Sequence, residues 1–124
     1  MIAQVDEALC RLLRPCLPAG TQIRLDPPKP TWQTESQVRS VELFLFALRG
    51  ERAAHRCTLS YLVTARAGEV AEEHALLDAA LNAVFGADPS LRLSLAETDP
   101  AQLWTSLGMP ARAGFVLLVT ADVD

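Results

Sequence analysis

Hydrophobic and polar positions along this chain fall into phases, and the changes of phase outline its elements. Ile2, Val5, Leu9, Leu12 and Leu13 recur at helical spacing, with Asp6 and Glu7 near the start, predicting a helix from Ile2 to about Leu13. Pro15 and Pro18-Ala19-Gly20 stop it. "TQIRLD" then alternates, with Ile23 and Leu25 set against Gln22 and Arg24, as a half-buried strand does. "PPKPTWQTESQ" follows as a polar, Pro-rich loop, because Pro favours extended backbone and lacks the N–H a ladder needs.

The next segment, Ser40 to Arg49, is apolar on both parities. Val41, Leu43, Leu45 and Ala47 occupy one, and Phe44, Phe46 and Leu48 the other, the pattern of a strand covered on both faces. "GERAAH" turns the chain into "RCTLSYLVTA", where Cys57, Leu59, Tyr61, Val63 and Ala65 point one way. Thr58, Ser60, Thr64 and Arg66 point the other, with Leu62 interrupting the polar side. A second helix from Glu69 to about Phe85 places Leu76, Leu77, Ala80, Leu81, Val84 and Phe85 on one stripe, and Gly86 follows as its C′ residue. "LRLSLAE" reads as a one-sided strand. "TDPAQLWTSLG" reads as a short helix with Asp99 as N-cap, Pro100 at the first helical position, Leu103, Trp104 and Leu107 inward, and Gly108 closing it. "GFVLLVTADVD" ends as a strand, apolar on both faces through Leu118.

The resulting order, α-β-β-β-α-β-α-β, predicts an α/β (α+β) fold: a single mixed sheet of about five strands with two to three helices packed mainly on one face. At 124 residues the whole chain, 1–124, is expected to form one domain. The helices cover one face of such a sheet and little of the other, yet two strands are apolar on both. The surplus apolar surface comprises Phe44, Phe46, Leu48, Leu62 and part of Val116 and Leu118, and predicts an interface. The competing expectation is that the Pro-rich loop, with Trp32, folds over it.

Composition narrows the function classes. The net charge is −4, and Lys29 is the only Lys among the 11 basic residues. Without a Lys/Arg run, the chain has no electrostatic footprint for duplex nucleic acid or anionic lipid. The 3 cysteines, Cys10, Cys16 and Cys57, lie in no metal or redox spacing and read as small apolar residues of a reducing compartment. The N-terminus lacks the basic and apolar regions of a signal peptide, and the apolar runs are strand-length, so no membrane insertion is expected.

Candidate chemistry is sparse. No nucleophile elbow, dinucleotide fingerprint, phosphate loop or zinc-helix motif is present. Glu72, Glu73 and His74 are consecutive, so on a helix they diverge by about 100° each and do not converge on one ion. The acids suit the positive end of the helix dipole. No catalytic, cofactor or metal residues are therefore assigned. Arg49, Arg52, His55 and Arg56 make the hairpin after the first long strand basic, a surface that fits an acidic partner as well as solvent.

These pieces, taken in order, resemble the N-terminal domain of the cap, or tail-terminator, proteins of extracellular contractile injection systems of the antifeeding-prophage and virulence-cassette type. The resemblance rests on "MIAQVDEALCRLLRPCLP", "IRLDPPKPTW", "VELFLFALR", "RCTLSYLVTA", "EEHALLDAAL" and "PAQLWTSLG" with "AGFVLLVTADVD", and so spans the chain. It departs at "GERAAHR" and "GADPS", which are shorter than the matching insertions in that family, and at Arg66, where an aromatic is common. It implies a structural protein, not an enzyme, with no cofactor. Six copies would form a ring on the end of the inner tube and sheath of a phage-tail-like particle, ending polymerisation and holding the sheath extended. The implied partners are copies of itself, sheath protein and tube protein, with no nucleic acid and no membrane. The implied location is the cytoplasm during assembly, within a particle that can be released. The partner interface would draw on Trp32, Phe44, Phe46, Leu48, Arg49, Arg52, Arg56, Leu62 and Leu118. Two other readings stay open on the residues alone: a small cytosolic enzyme or ligand-binding domain using His74 and Glu73, and a monomeric assembly adaptor.

Overall fold

In the computed structural model, residues 1–29, 38–97 and 99–123 are described. The alternating segments become five strands of one mixed sheet: β1 (Gln22–Arg24), β2 (Ser40–Glu51), β3 (Arg56–Arg66), β4 (Leu93–Leu95) and β5 (Gly114–Asp122). The helical stripes become α1 (Ile2–Leu13), α2 (Val70–Phe85) and α3 (Ala101–Leu107). The strand order is β1-β2-β3-β5-β4, with β1 parallel to β2 and every other neighbour antiparallel. This is the α+β architecture expected from the sequence.

The sheet's two faces have different covers. On one, Val41, Leu43, Leu59, Tyr61, Val63, Leu117 and Val119 pack with Leu9 and Leu13 of α1 and with Leu76, Ala80, Ala83 and Val84 of α2. Each fully buried aliphatic side chain there contributes about 1.5–3 kcal/mol by leaving water. Tyr61 is completely buried, and its hydroxyl donates to Asp6 Oδ1, which ties the central strand to α1. The α2 stripe is narrower than the sequence suggests. Leu76, Ala80, Ala83 and Val84 are buried, whereas Phe85 is 68 % exposed, because it lies about 100° further round the helix than Val84.

The other face carries the smaller helix. Leu62 of β3 and Val116 of β5 pack with Trp104 of α3 and with Met109, and Phe44, Leu103, Leu107 and Leu118 flank them. The helix begins one residue later than expected, with Pro100 in the cap position. The Asp99 carboxylate still accepts the Ala101 N–H at 3.0 Å, and Gly108 ends the helix in the left-handed region at φ 68°. The close approach of β5 to β3 explains another glycine: a Cβ on Gly114 would sit 2.8 Å from the Val63 carbonyl oxygen.

Candidate functional site

The coverage of the second face ends partway along the sheet. A 7-residue α3 extends only about 10 Å, whereas the 11-residue β3 beneath it runs about 36 Å. Among the described residues, therefore, no helix lies on the part of the face toward the β2–β3 hairpin. What remains is a groove of about 680 Å³. Its floor is Ala47 of β2, Thr58 and Ser60 of β3, and Val116 and Leu118 of β5; Leu103 and Ser106 of α3 form one wall, and Phe46 forms the other.

A β-bulge shapes that wall. Leu45 pairs with Tyr61 and Ala47 with Ser60, so Phe46 is an extra residue in β2. Phe44 and Phe46 lie with ring centroids 6.4 Å apart. Bulges bend a strand and re-aim side chains, and this one breaks the parity that the sequence assigned to Phe44, Phe46 and Leu48. Leu48 pairs with Leu59, a residue of the opposite face, yet is 53 % exposed at the end of the sheet and borders the groove.

The sequence-proposed interface residues thus divide into groups. Phe46 and Leu48 are exposed, and Phe44 and Leu118 are half-buried beside them. Arg49, Arg52 and Arg56 are exposed on the hairpin. Leu62 is fully buried under α3 with Trp104, so it has no free surface in the isolated chain. Trp32 lies outside the described residues. Arg56 is paired with Glu51 at 3.5 Å, and Arg92 of the neighbouring segment with Asp122 at 3.2 Å. Among the described residues, Arg49 and Arg52 have no such carboxylate partner.

The Glu-Glu-His run is drawn into local structure. The Glu73 carboxylate accepts from Arg112 at 2.7 Å and from the Ala67 N–H at 3.3 Å, while His74 and Glu72 are exposed. Among the described residues, no group of His, Cys, Asp and Glu is placed to hold a metal ion, and no helix is long and apolar enough to cross a membrane.

One polar cluster was not legible in the sequence. Ser40, Glu42, Thr64 and Arg66 are all buried, at the end of the sheet away from the groove. Ser40 donates to Glu42 Oε1 at 2.6 Å, Thr64 donates to Oε2 at 3.3 Å, and the Arg66 guanidinium lies 3.9 Å away. Burial raises the Glu42 carboxyl to about 7, against the hydrogen bonds and the positive charge of Arg66 and Arg112, which hold it down. The only sequence signal was Glu42 standing between Val41 and Leu43.

Among the described residues, then, one face of the sheet is covered by two helices and the other only in part, and no catalytic groups converge on either. The particular likeness is to a solved assembly component. No protein-family model matches the sequence, and neither does any curated protein. A cryo-EM structure described as an extracellular contractile injection system, PVC sheath/tube terminator in extended state, matches the fold at a TM-score of 0.80 with 20 % sequence identity over 99 % of this chain. The chain spans 56 % of that terminator's length.

Proposed function

We propose that this protein is the terminator of a phage-tail-like contractile particle, capping the end of the inner tube and sheath. The observation that carries this reading is the fold match across 99 % of the chain to a sheath/tube terminator. The uncovered end of the sheet supports it, since an exposed apolar patch beside unpaired charge suits a partner. Its residues are Phe44, Phe46, Leu48 and Leu118, with Arg49, Arg52 and the Glu51-paired Arg56 on the adjoining hairpin.

In this role the chain acts by shape. Copies join head to tail through a heterologous interface that closes by rotation into a homohexameric ring. The ring presents a surface complementary to the last layer of tube and sheath and none to a further layer, so polymerisation stops. The outer edge of β2 offers a second mode of engagement. The parallel partner β1 pairs only with Ser40, Val41 and Glu42, and among the described residues no strand pairs with that edge beyond them. An extended segment of a sheath subunit can add there through main-chain hydrogen bonds.

The test is co-assembly with the tube and sheath proteins of a contractile injection particle. Negative-stain images are expected to show the protein at one end of tubes whose lengths become limited when it is present. Tubes of unchanged length, with no density added at either end, would sink the proposal.

A further inference from the structure

We infer that the groove between α3 and the β2–β3 hairpin is a docking site for an extended acidic segment of a partner protein, its apolar residues facing the groove and its carboxylates facing Arg49 and Arg52. The groove's size comes first. About 680 Å³ lies within the range of built ligand sites, roughly 300–1,000 Å³. It is continuous with the exposed aromatic and aliphatic side chains of Phe46 and Leu48.

The shape of the floor points to an extended chain. Ala47 faces Ser60, and Ser60 faces Leu118, so in this row across three adjacent strands the two side chains nearer the β2 edge are small. Such a floor admits a backbone close to the sheet, with alternate side chains directed down between Phe46 and Leu103. The half-buried Thr58 and Ser60 hydroxyls on that floor serve polar backbone groups that the guest brings in.

Charge decides the guest's chemistry. The groove is polarised: Asp99 stands at the α3 end and Arg49 at the hairpin end. Asp99 accepts the Ala101 N–H at 3.0 Å and keeps its negative charge, so the guest's carboxylates belong at the opposite, hairpin end. Two cations at the hairpin end are already ion-paired, Arg56 with Glu51 and Arg92 with Asp122. Arg49 and Arg52 are the exposed cations there that lack a carboxylate partner among the described residues. On a chain of net charge −4, one guanidinium lining the groove (Arg49) and a second on the adjoining turn (Arg52), both without a carboxylate partner among the described residues, attract carboxylates to that end and disfavour a basic guest there.

This inference rests on the reading of the bare face as partner-contacting and adds the identity of what it takes. Its test needs neither ring nor particle, so its outcome separates from that of the terminator proposal. The probe is a fluorescein-labelled peptide of about eight residues alternating Val and Glu, titrated with the full chain and read by fluorescence anisotropy. Two control peptides replace Glu by Lys or Val by Ser. The Val/Glu peptide is expected to bind saturably, and at least about tenfold more tightly than either control. The Arg49→Glu, Arg52→Glu double variant is expected to lose at least about tenfold in affinity, and Phe46→Ser to weaken binding too, each with an unchanged circular dichroism spectrum. Because Arg49 and Arg52 are exposed, their variant keeps the test valid even if Phe46→Ser loosens the strand. The inference is overturned by equal binding of the Lys peptide, by no saturable binding, or by an undiminished affinity in the arginine variant. It is also overturned if sedimentation finds self-association that Phe46→Ser abolishes, because the groove's occupant is then a second copy.

Discussion

Glu42 stands alone between two core aliphatic residues, and its environment gives it a measurable signature. Burial raises its folded-state carboxyl from the ordinary 4.5 to about 7. Between those values the folded chain holds a proton that the unfolded chain has released. The stability Glu42 contributes is therefore complete below about pH 4.5 and is lost as the pH rises through about 7. A displacement of this size corresponds to about 3 kcal/mol. Urea midpoints are expected to fall between pH 5 and pH 8 in the native chain and to lose most of that fall in Glu42→Gln, whose amide mimics the protonated acid. An unaltered pH dependence in the variant would show that another group is responsible. Gly114 makes a second prediction at this scale. A methyl group there meets the Val63 carbonyl oxygen at 2.8 Å and Thr64 Cγ2 at 3.1 Å, so Gly114→Ala is expected to cost about 1–3 kcal/mol in chemical denaturation.

At the level of elements, α3 divides the second face into a covered part and a bare one. Trp104 is the residue through which it does so, being 2 % exposed against Leu62, Met109 and Val116. Among the described residues its indole N–H has no acceptor. Trp104→Ala is expected to cost about 3–5 kcal/mol through the cavity it leaves, whereas Trp104→Phe loses no protein hydrogen bond and should cost clearly less; thermal melts of both variants check the ordering. The bulge in β2 acts on the same face. By adding Phe46 to the strand, it sends an aromatic ring to the groove wall and shifts Leu48 into register with Leu59. Strict alternation, the basis for reading a strand's faces, cannot anticipate an extra residue. The parity assigned to Phe44, Phe46 and Leu48 therefore holds only as far as the bulge.

For the whole molecule, the question is how much apolar surface stays uncovered when every element has packed. The surplus expected from two doubly apolar strands was real in part. Leu62 and Val116 were absorbed by α3, and Phe46 and Leu48 were not. In the proposed ring-forming terminator, Phe46 and Leu48 touch partners and contribute little to the fold. The double variant Phe46→Ser, Leu48→Ser is accordingly expected to melt within a few degrees of the native chain while losing its ability to limit tube length in co-assembly. A large drop in melting temperature would instead assign these side chains to the core. Charge works at this scale as well: because Arg49 and Arg52 are exposed, any contact they make with an acidic partner should weaken as salt is raised.

Periodicity alone located the helices and strands, because each must bury one stripe or one parity and the residues that do so recur at fixed spacing. It also located the imbalance between apolar strands and available cover, and it dispersed Glu72, Glu73 and His74 around a helix surface. Tertiary structure decided what spacing does not encode. It set the strand order β1-β2-β3-β5-β4, placed α3 opposite α1 and α2, and drew Ser40, Glu42, Thr64 and Arg66 into one buried cluster. It turned Phe85 outward and fixed the bulge at Phe46. The reason is common to all of these: they depend on contacts between residues distant in the chain, and such contacts select among arrangements that a local pattern leaves equal.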